Sequence, residues 1–493
     1  MAAQRLDPAD RELFALVSRA AFVNPFSRER DALDVRIAGT DAEDPELLPR
    51  LLERLESRLA AIEAKGDLAP EVFTPDDGRT LEHAVLFETF HRYVGRLDAL
   101  IEAQLAAGDS PVPVPFADEL LRRLSRRGIR REHAVRMLSL FWQMRRAYYF
   151  IASGLTGVSP SMRRLREALW NDVFTHDLAR YERLLWDRLE DFSLILRGET
   201  GSGKGQAAAA IGRSGFVPFD EQRGAFAASF TELFVPINLS QFPETLIESE
   251  LFGHKKGAFT GAVDSHAGVF SRCSPNGAIF LDEIGEVSIP VQIKLLRVLQ
   301  DRVFTPVGSH EERRFEGRVI AATHRDLSRH RADKSFRDDF YYRLCSDVIE
   351  VPPLRQRLAE EPRELDVLLE HLVRRIVGAP DAGIVAQAGA AIRAGVPEGY
   401  RWPGNVRELE QCVRRVLLSG RCGPDAGAAV EAGDPTDRFL AAARAGTLEA
   451  RELTARYCAL LHDRHGTFEE VARITGLDRR TVRKHVQHVK GGG

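Results

Sequence analysis

Cysteine is scarce and scattered in this chain: Cys273, Cys345, Cys412, Cys422 and Cys458 are the five in 493 residues. Odd in number and without a paired short spacing to histidine, they argue against a disulfide scaffold or a zinc site and point to a reducing compartment. No run of about 18 apolar residues is present to span a bilayer. The opening stretch "MAAQRLDPADRELF" places acids and a proline where a signal peptide needs an apolar run, which argues against secretion; a cytoplasmic protein is expected. Nor is there an excess of one charge: the net charge is -3, with 44% hydrophobic and 29% charged residues, the balance of an ordinary folded chain. Any basic surface is therefore local, and charge has to be read segment by segment. Internal repeats are missing too.

What is there falls into segments. Residues up to about 156 read as helical: in "PELLPRLLERLESRLAAIEAKG" the positions Leu48, Leu52, Leu55, Leu59 and Ile62 recur at helical spacing, and "LEHAVLFETFHRYVGRLDALIEAQL" repeats the pattern. Prolines and glycines in "GDLAPEVFTPDDG" and "AAGDSPVPVPFAD" mark breaks. From about 157 to 425, short aliphatic runs such as "FSLILRG", "GAIFLDE" and "GRVIAAT" alternate with helical stretches, which predicts a parallel sheet covered by helices. Residues 426–437, inside "GRCGPDAGAAVEAGDPTD", read as a linker, and residues 438–493 as a compact helical tail.

Between the strand "FSLILR" and the helix former "QAAAAIG" lies "GETGSGKG", Gly198, Glu199, Thr200, Gly201, Ser202, Gly203, Lys204 and Gly205. A glycine-rich loop between strand and helix points backbone N–H groups at phosphates, the helix N-terminus adds its positive end, and Lys204 reaches the β- and γ-phosphates. Gly205 stands where phosphate loops usually carry the Ser or Thr whose hydroxyl ligates Mg²⁺. Some 80 residues on, "GAIFLDEIGE" ends a strand in two carboxylates: Asp282 to hold the hydration shell of the metal and Glu283 to polarise the attacking water. "RVIAATHRDL" offers Thr323 and His324 as γ-phosphate sensors, provided that its strand lies beside that of Asp282. "SFRDDFYYRL" carries Arg337 and Arg343, suited either to stabilise the transferring phosphoryl group or to pair with Asp338 or Asp339 on the surface.

Together with "GVSPSM", "ESELFGH", "GAFTGA", "LLRVLQ", "PPLRQR" and "WPGNVRELEQ", these stretches resemble the AAA+ family, and within it the bacterial enhancer-binding proteins that activate sigma-54 RNA polymerase. Six specified residues such as GAFTGA arise in a chain of this length with a probability on the order of 10⁻⁵. The resemblance implies an α/β fold: an AAA+ P-loop core with a parallel sheet over residues 157–425 and a helical lid from about 354, preceded by an all-α N-terminal domain and followed by a Fis-type helix-turn-helix domain. It implies ATP and Mg²⁺ as ligands, ATP hydrolysis, and assembly into a ring, typically a hexamer. Gly257, Ala258, Phe259, Thr260, Gly261 and Ala262 would form the tip of a nucleotide-driven loop that touches sigma-54: glycines and alanines for a pliable backbone, Phe259 as anchor, Thr260 as polar contact. By the same resemblance Asn238 would hold Glu283 back until the partner engages, Arg337 and Arg343 would serve the ATP of a neighbouring subunit, and Arg407 would sense nucleotide from the lid.

The chain departs from the family at Gly205, where glutamate is common, at Lys255, where an acid is common, and at His324, where asparagine is frequent. Lys204, Asp282, Glu283 and Thr260 are intact, so an active ATPase is expected. "LWNDVFTHDLARYERLLWDRLEDF" and "GFVPFDEQRGAFAASFTELF" are longer than usual and read as helical packing elements of a divergent branch.

In the tail, a helix from about Leu448, a short helix Phe468 to Ile474, a Gly476–Leu477 turn and a basic helix capped by Asp478 make a helix-turn-helix pattern. Val482, Val486 and Val489 would face its core, leaving Arg479, Arg480, Thr481, Arg483 and Lys484 for the major groove of double-stranded DNA, bound by dimers as in Fis-type modules. Residues 1–156 show no receiver-like alternation. Their aromatic helix "HAVRMLSLFWQMRRAYYFIASGL" reads as packing first and a ligand pocket second, and the arginines of "LRRLSRRGIRRE" as a solvated face.

Overall fold

A computed structural model describes residues 3–422, apart from 67, 189, 190 and 398, and residues 448–490, with 439, 443 and 446 between them. The expected linker, 426–437, lies outside the described residues. The chain divides into two compact units, Met1–Gly389 with Trp402–Leu418, and Ala390–Arg401 with Ser419–Gly493.

The first unit opens with seven helices: α1 (Pro8–Phe22), α2 (Arg28–Ala38), α3 (Leu47–Glu63), α4 (Pro75–Ala107), α5 (Ala117–Arg126), α6 (Arg131–Gly154) and α7 (Pro160–Phe174). Their ends follow local chemistry: the side chains of Asp7 and Ser27 cap α1 and α2, and Gly39, at φ 71°, stops α2 in the left-handed conformation. On α3 the buried stripe is Leu51, Leu55, Leu59 and Ile62, one row over from the expected start, and Leu48 is exposed. The arginine run is not a plain solvated face. Glu88 of α4, fully buried, accepts hydrogen bonds from Arg92 at 2.9 Å, Arg123 at 2.8 Å and Arg127 at 2.7 Å, so two of those arginines neutralise a buried acid.

A five-stranded, all-parallel sheet follows, with β1 (Leu194–Arg197), β2 (Phe234–Asn238), β3 (Ala278–Asp282), β4 (Arg318–Thr323) and β5 (Asp347–Glu350) in the spatial order β2-β3-β4-β1-β5. The central strands read as unbroken apolar runs because helices cover both faces. This is the AAA+ α/β core that the motifs implied, with its phosphate-loop strand inside the sheet and β4 beside β3. Helices Leu354–Glu360 and Glu364–Val377 begin the lid. The first long insertion, residues 169–192, forms the end of α7 and then the short helical pieces Leu178–Arg180 and Tyr181–Leu185, but the second is not helical: Phe219–Asp220 and Ala225–Phe226 pair as an antiparallel hairpin. There Phe226 stacks on Trp142 of α6 at 5.0 Å, so its aromatics serve a cross-packing contact rather than a helical stripe.

In the second unit, helices Ala450–His465, Phe468–Thr475 and Arg479–Lys490 close on Cys458, Leu461, Val471, Val482 and Val486. Val489, expected in that core, is exposed, one turn too far along its helix to meet the others. Cys273, Cys345 and Cys458 are free thiols. Among the described residues no helix is long and apolar enough to cross a membrane.

Candidate nucleotide site and contact loop

Parallel strands place their C-terminal ends side by side, and ligands of open α/β sheets bind there. In register, Asn238 lies opposite Asp282, and Arg197, which leads into the phosphate loop, opposite Thr323. The residues just beyond β1, β2 and β3 line one cleft of about 800 Å³, with Lys204, Asn238, Asp282 and Glu283 on the sheet side and Arg407 on the lid side.

The phosphate loop runs Gly198 to Gly203 and delivers Lys204 as the first residue of helix α8 (Lys204–Gly212). Gly201 and Gly203 adopt φ of 76° and 111°, values that a side chain resists. Gly201 is needed a second time, since a Cβ there would strike the carbonyl of Gly404. Lys204 is buried and donates to the carbonyls of Gly198 at 2.9 Å and Glu199 at 3.2 Å. Burial holds its pKa below the ordinary lysine value, against the pull of Glu283 and Asp282, so a phosphate would meet a poorly solvated ammonium. Ser202 Oγ is buried without a hydrogen-bond partner. A Cβ at Gly205 would meet nothing within 4 Å, so the departure there is not imposed by lack of space.

Asp282 ends β3 half-buried, and burial, then the neighbouring Glu283, raises its pKa. Its Oδ1 accepts the amide of Glu283 at 3.1 Å. Glu283 itself takes the left-handed conformation at φ 58°, a rare setting for a non-glycine that turns its carboxylate out of the strand direction. Asn238 does not reach it. Its Oδ1 accepts from the amide of Ser240 at 3.0 Å and from Ser240 Oγ at 2.7 Å. His324 reaches it instead, with Nδ1 2.7 Å from Glu283 Oε2. Thr323 is fully buried and its Oγ1 accepts the amide of Arg325 at 3.0 Å. Arg337 pairs with Asp339 at 2.6 Å, and Arg343 donates to the carbonyl of Leu299 at 2.9 Å; neither lines the cleft of its own chain.

Three polar clamps join parts that are far apart in sequence. Glu199 receives both arms of Arg355, at 2.6 and 2.7 Å, and the amide of Asn405 at 3.1 Å, while Asn405 also donates to the Thr200 carbonyl. Buried Arg357 pairs with Glu364 at 2.7 Å and donates to the Thr156 carbonyl at 2.6 Å, which fixes the stretch after α6 at the cleft. Arg355 and Asn405 lie inside "PPLRQR" and "WPGNVRELEQ", so the motifs were visible but these roles were not.

The expected contact loop leaves the core between His254 and His266, whose backbones bond reciprocally at 3.0 and 2.9 Å. Gly257 and Gly261 turn at φ 82° and 102°, and the Gly257 amide donates to the Ala262 carbonyl, closing a tight tip. Thr260 is exposed, Phe259 rests edge-on against the His254 ring at 4.9 Å while still 37% exposed, and Ala258 and Ala262 face inward. A neighbouring segment braces the tip: Lys255 donates to the Val307 carbonyl, and a Cβ on Gly308 would come 2.7 Å from that of Ala258.

In the C-terminal unit Asp478 caps the last helix, accepting from the Thr481 amide at 3.0 Å and its hydroxyl at 2.6 Å, so Thr481 is engaged locally. Arg479 pairs with Glu469 at 2.8 Å, and Arg480, Arg483 and Lys484 are exposed.

Comparison with known proteins converges on the same region. Residues 177–350 match the Sigma-54 interaction domain. The chain is 38% identical over 283 residues to the Nif-specific regulatory protein of Azotobacter vinelandii, covering 56% of this chain and 47% of that protein. It is 40% identical over 228 residues to the DNA-binding transcriptional regulator NtrC of Azospirillum brasilense, covering 46% and 43%. With the response regulator protein PilR of Pseudomonas aeruginosa it shares 37% over 261 residues, covering 53% and 51%. The chain thus spans about half the length of the relatives it matches. Cleft, loop and likeness thus fall in one stretch: residues 177–350, which match the Sigma-54 interaction domain, hold Lys204, Asp282 and Glu283 as well as Phe259 and Thr260.

Proposed function

We propose that the protein is an ATP-dependent transcriptional activator that binds upstream double-stranded DNA, assembles into a ring and uses ATP hydrolysis to open the closed complex of sigma-54 RNA polymerase. The observation that carries this reading is the presence, in one compact unit, of a cleft with Lys204, Asp282 and Glu283 at adjoining strand ends and of an exposed glycine-hinged loop with Phe259 and Thr260 at its tip.

ATP lies with its phosphates over the loop amides and Lys204, and Glu283 takes the proton of the water that attacks the γ-phosphate. Asp282 is suited to the water shell of Mg²⁺: it is an acid at the cleft, and Oδ2 accepts no hydrogen bond among the described residues. Bound Mg²⁺ supplies charge neutralisation at the phosphates. Arg407 and the loop residues Thr200 to Gly205 complete the nucleotide contacts, fully buried Thr323 stands outside the cleft lining, and Arg337 and Arg343, which do not line it either, serve the ATP of the next subunit in a ring such as a hexamer. The restraint on Glu283 falls to His324 rather than Asn238, because His324 makes the 2.7 Å contact. Arg479, Arg480, Arg483 and Lys484 bind DNA as part of a helix-turn-helix dimer, Thr481 contributing through its cap.

The test is conversion of a sigma-54 polymerase closed complex to an open one on linear promoter DNA by the purified full chain with ATP. Thr260→Ala should keep ATP turnover within about twofold and lose conversion, since an exposed loop threonine contributes little to the fold. Equal conversion by parent and variant would refute the contact role of the loop.

A further inference from the structure

The N-terminal helices enclose a second cavity, of about 330 Å³, between α1, α2, α4, α6 and the segment 178–182. Its size is that of a small-molecule pocket. The walls are apolar and aromatic, with Phe22, Phe87, Phe90, Phe141, Met137 and Met144 prominent.

Its arginines are neutralised by acids. Arg30 is held by Asp34 at 2.8 and 3.0 Å. At the other end Arg136 donates to Glu182 at 2.9 Å and to His133 Nδ1 at 2.9 Å. A guanidinium can only donate, so His133 Nδ1 accepts, and its Nε2–H serves Glu82 at 3.1 Å. An anionic ligand would find no unpaired cation among these groups, and Glu82, bonded to a neutral imidazole, keeps its charge 31% exposed, within reach of water. What the cavity offers is an imidazole. His91 Nδ1 lies 2.9 Å from the Phe87 carbonyl, an acceptor only, so this nitrogen carries the hydrogen and Nε2 is a bare acceptor with no protein partner among the described residues. Burial pushes the His91 pKa down to about 4, which keeps the ring neutral at pH 7.

We propose that this cavity binds an uncharged aromatic molecule bearing an N–H or O–H donor, and that α6 conveys its occupancy to the nucleotide cleft. Helix α6 gives Met137, Phe141 and Met144 to the cavity, while Ser153 and Gly154 at its end line the nucleotide cleft. The two sets are about 13 Å apart at 1.5 Å per residue along one rigid element. Between them α6 grips the end of α8, the helix that starts at Lys204: Gln143 donates to the Ser214 carbonyl at 3.0 Å, and Arg146 to those of Arg213 at 2.6 Å and Gly215 at 2.7 Å. A ligand that shifts α6 therefore acts on both ends of the phosphate-binding helix. The effect of the ligand on ATP must equal that of ATP on the ligand. The coupling rests on the ATP-binding part of the reading above; the binding does not.

The full chain is titrated by calorimetry with indole, benzimidazole and 2-naphthol, and with indene and naphthalene as donor-free counterparts, and ATP affinity and turnover are measured separately with and without each probe. At least one donor-bearing probe should bind at least tenfold more tightly than its counterpart and change ATP affinity at least threefold. Met144→Trp, which fills the cavity, should abolish binding, and His91→Phe should erase the preference for the donor. Failure of all three donor probes, equal binding of the counterparts, or unchanged binding in a folded Met144→Trp protein would overturn the site. Binding that leaves ATP affinity unchanged would overturn the coupling. Absence of turnover with ligand-sensitive ATP affinity would leave the site and its coupling standing and remove only the ATPase reading.

Discussion

The nucleotide cleft and the N-terminal cavity lie in the same unit and use opposite means. In the cleft, charges are held apart by backbone: Lys204 on loop carbonyls, Glu283 in a left-handed turn, Glu199 under Arg355 and Asn405. In the cavity, the arginines are cancelled by acids and aromatic walls set the shape. A site built from residue identity leaves motifs in a sequence, because few side chains can do its chemistry. A site built from shape leaves a general excess of Phe and Met that packing would explain as well.

The contrast can be broken most severely at Glu283. Glu283→Gln should bind ATP and lose turnover by about a hundredfold or more, measured as phosphate release, because the base is removed while the fold is kept. Near-parental release would mean that the acid at this strand end is not the base. In the N-terminal helices the largest effect falls on stability: Glu88→Ala leaves three arginines around an empty site and should cost about 3–5 kcal/mol, read by denaturant unfolding. A loss under about 1 kcal/mol would show those arginines to be solvated after all. His324→Ala removes a hydrogen bond worth about 1 kcal/mol and should raise basal turnover roughly fivefold if that bond restrains Glu283. A fall would instead make His324 a helper of catalysis.

The smallest effect expected is acid sensitivity at His91, whose folded pKa, about 4, lies below its ordinary value of 6.5. An unfolded chain takes up this proton first, so the contribution of the neutral ring is complete above pH 6.5 and is lost as pH falls toward 4. Arg30, Arg145 and Glu88 also act on this ring. The melting temperature of the parent should drop further between pH 7 and 4.5 than that of His91→Phe; parallel drops would place the acid response elsewhere.

Much of the AAA+ core was legible because its candidate site is sequential: strand, glycine loop and lysine follow one another, and Asp282 and Glu283 end a single strand. The sheet followed from runs such as "AIFLD" and "RVIAAT", which only two covered faces explain. What stayed hidden depends on partners distant in the chain. Glu199 and Asn405 are separated by 206 residues and Glu283 and His324 by 41, so a resemblance assigned the restraint to Asn238 when space assigned the contact to His324. The hairpin Phe219–Phe226 reads as a helix in the sequence because its phenylalanines fit a helical spacing, whereas in the fold they pack against α6.

The brace on the contact loop has a mechanical consequence. With the Lys255 amide tied to Val307 and Gly308 pressed against Ala258, the tip is one half of a two-ply lever whose other ply is the segment 305–312. A push along the first ply loads the second, which is anchored at both ends by the paired strands Val303–Phe304 and Arg313–Arg314. Any displacement of Phe259 and Thr260 is therefore limited by the stiffness of that hairpin as well as by the swing of two glycines.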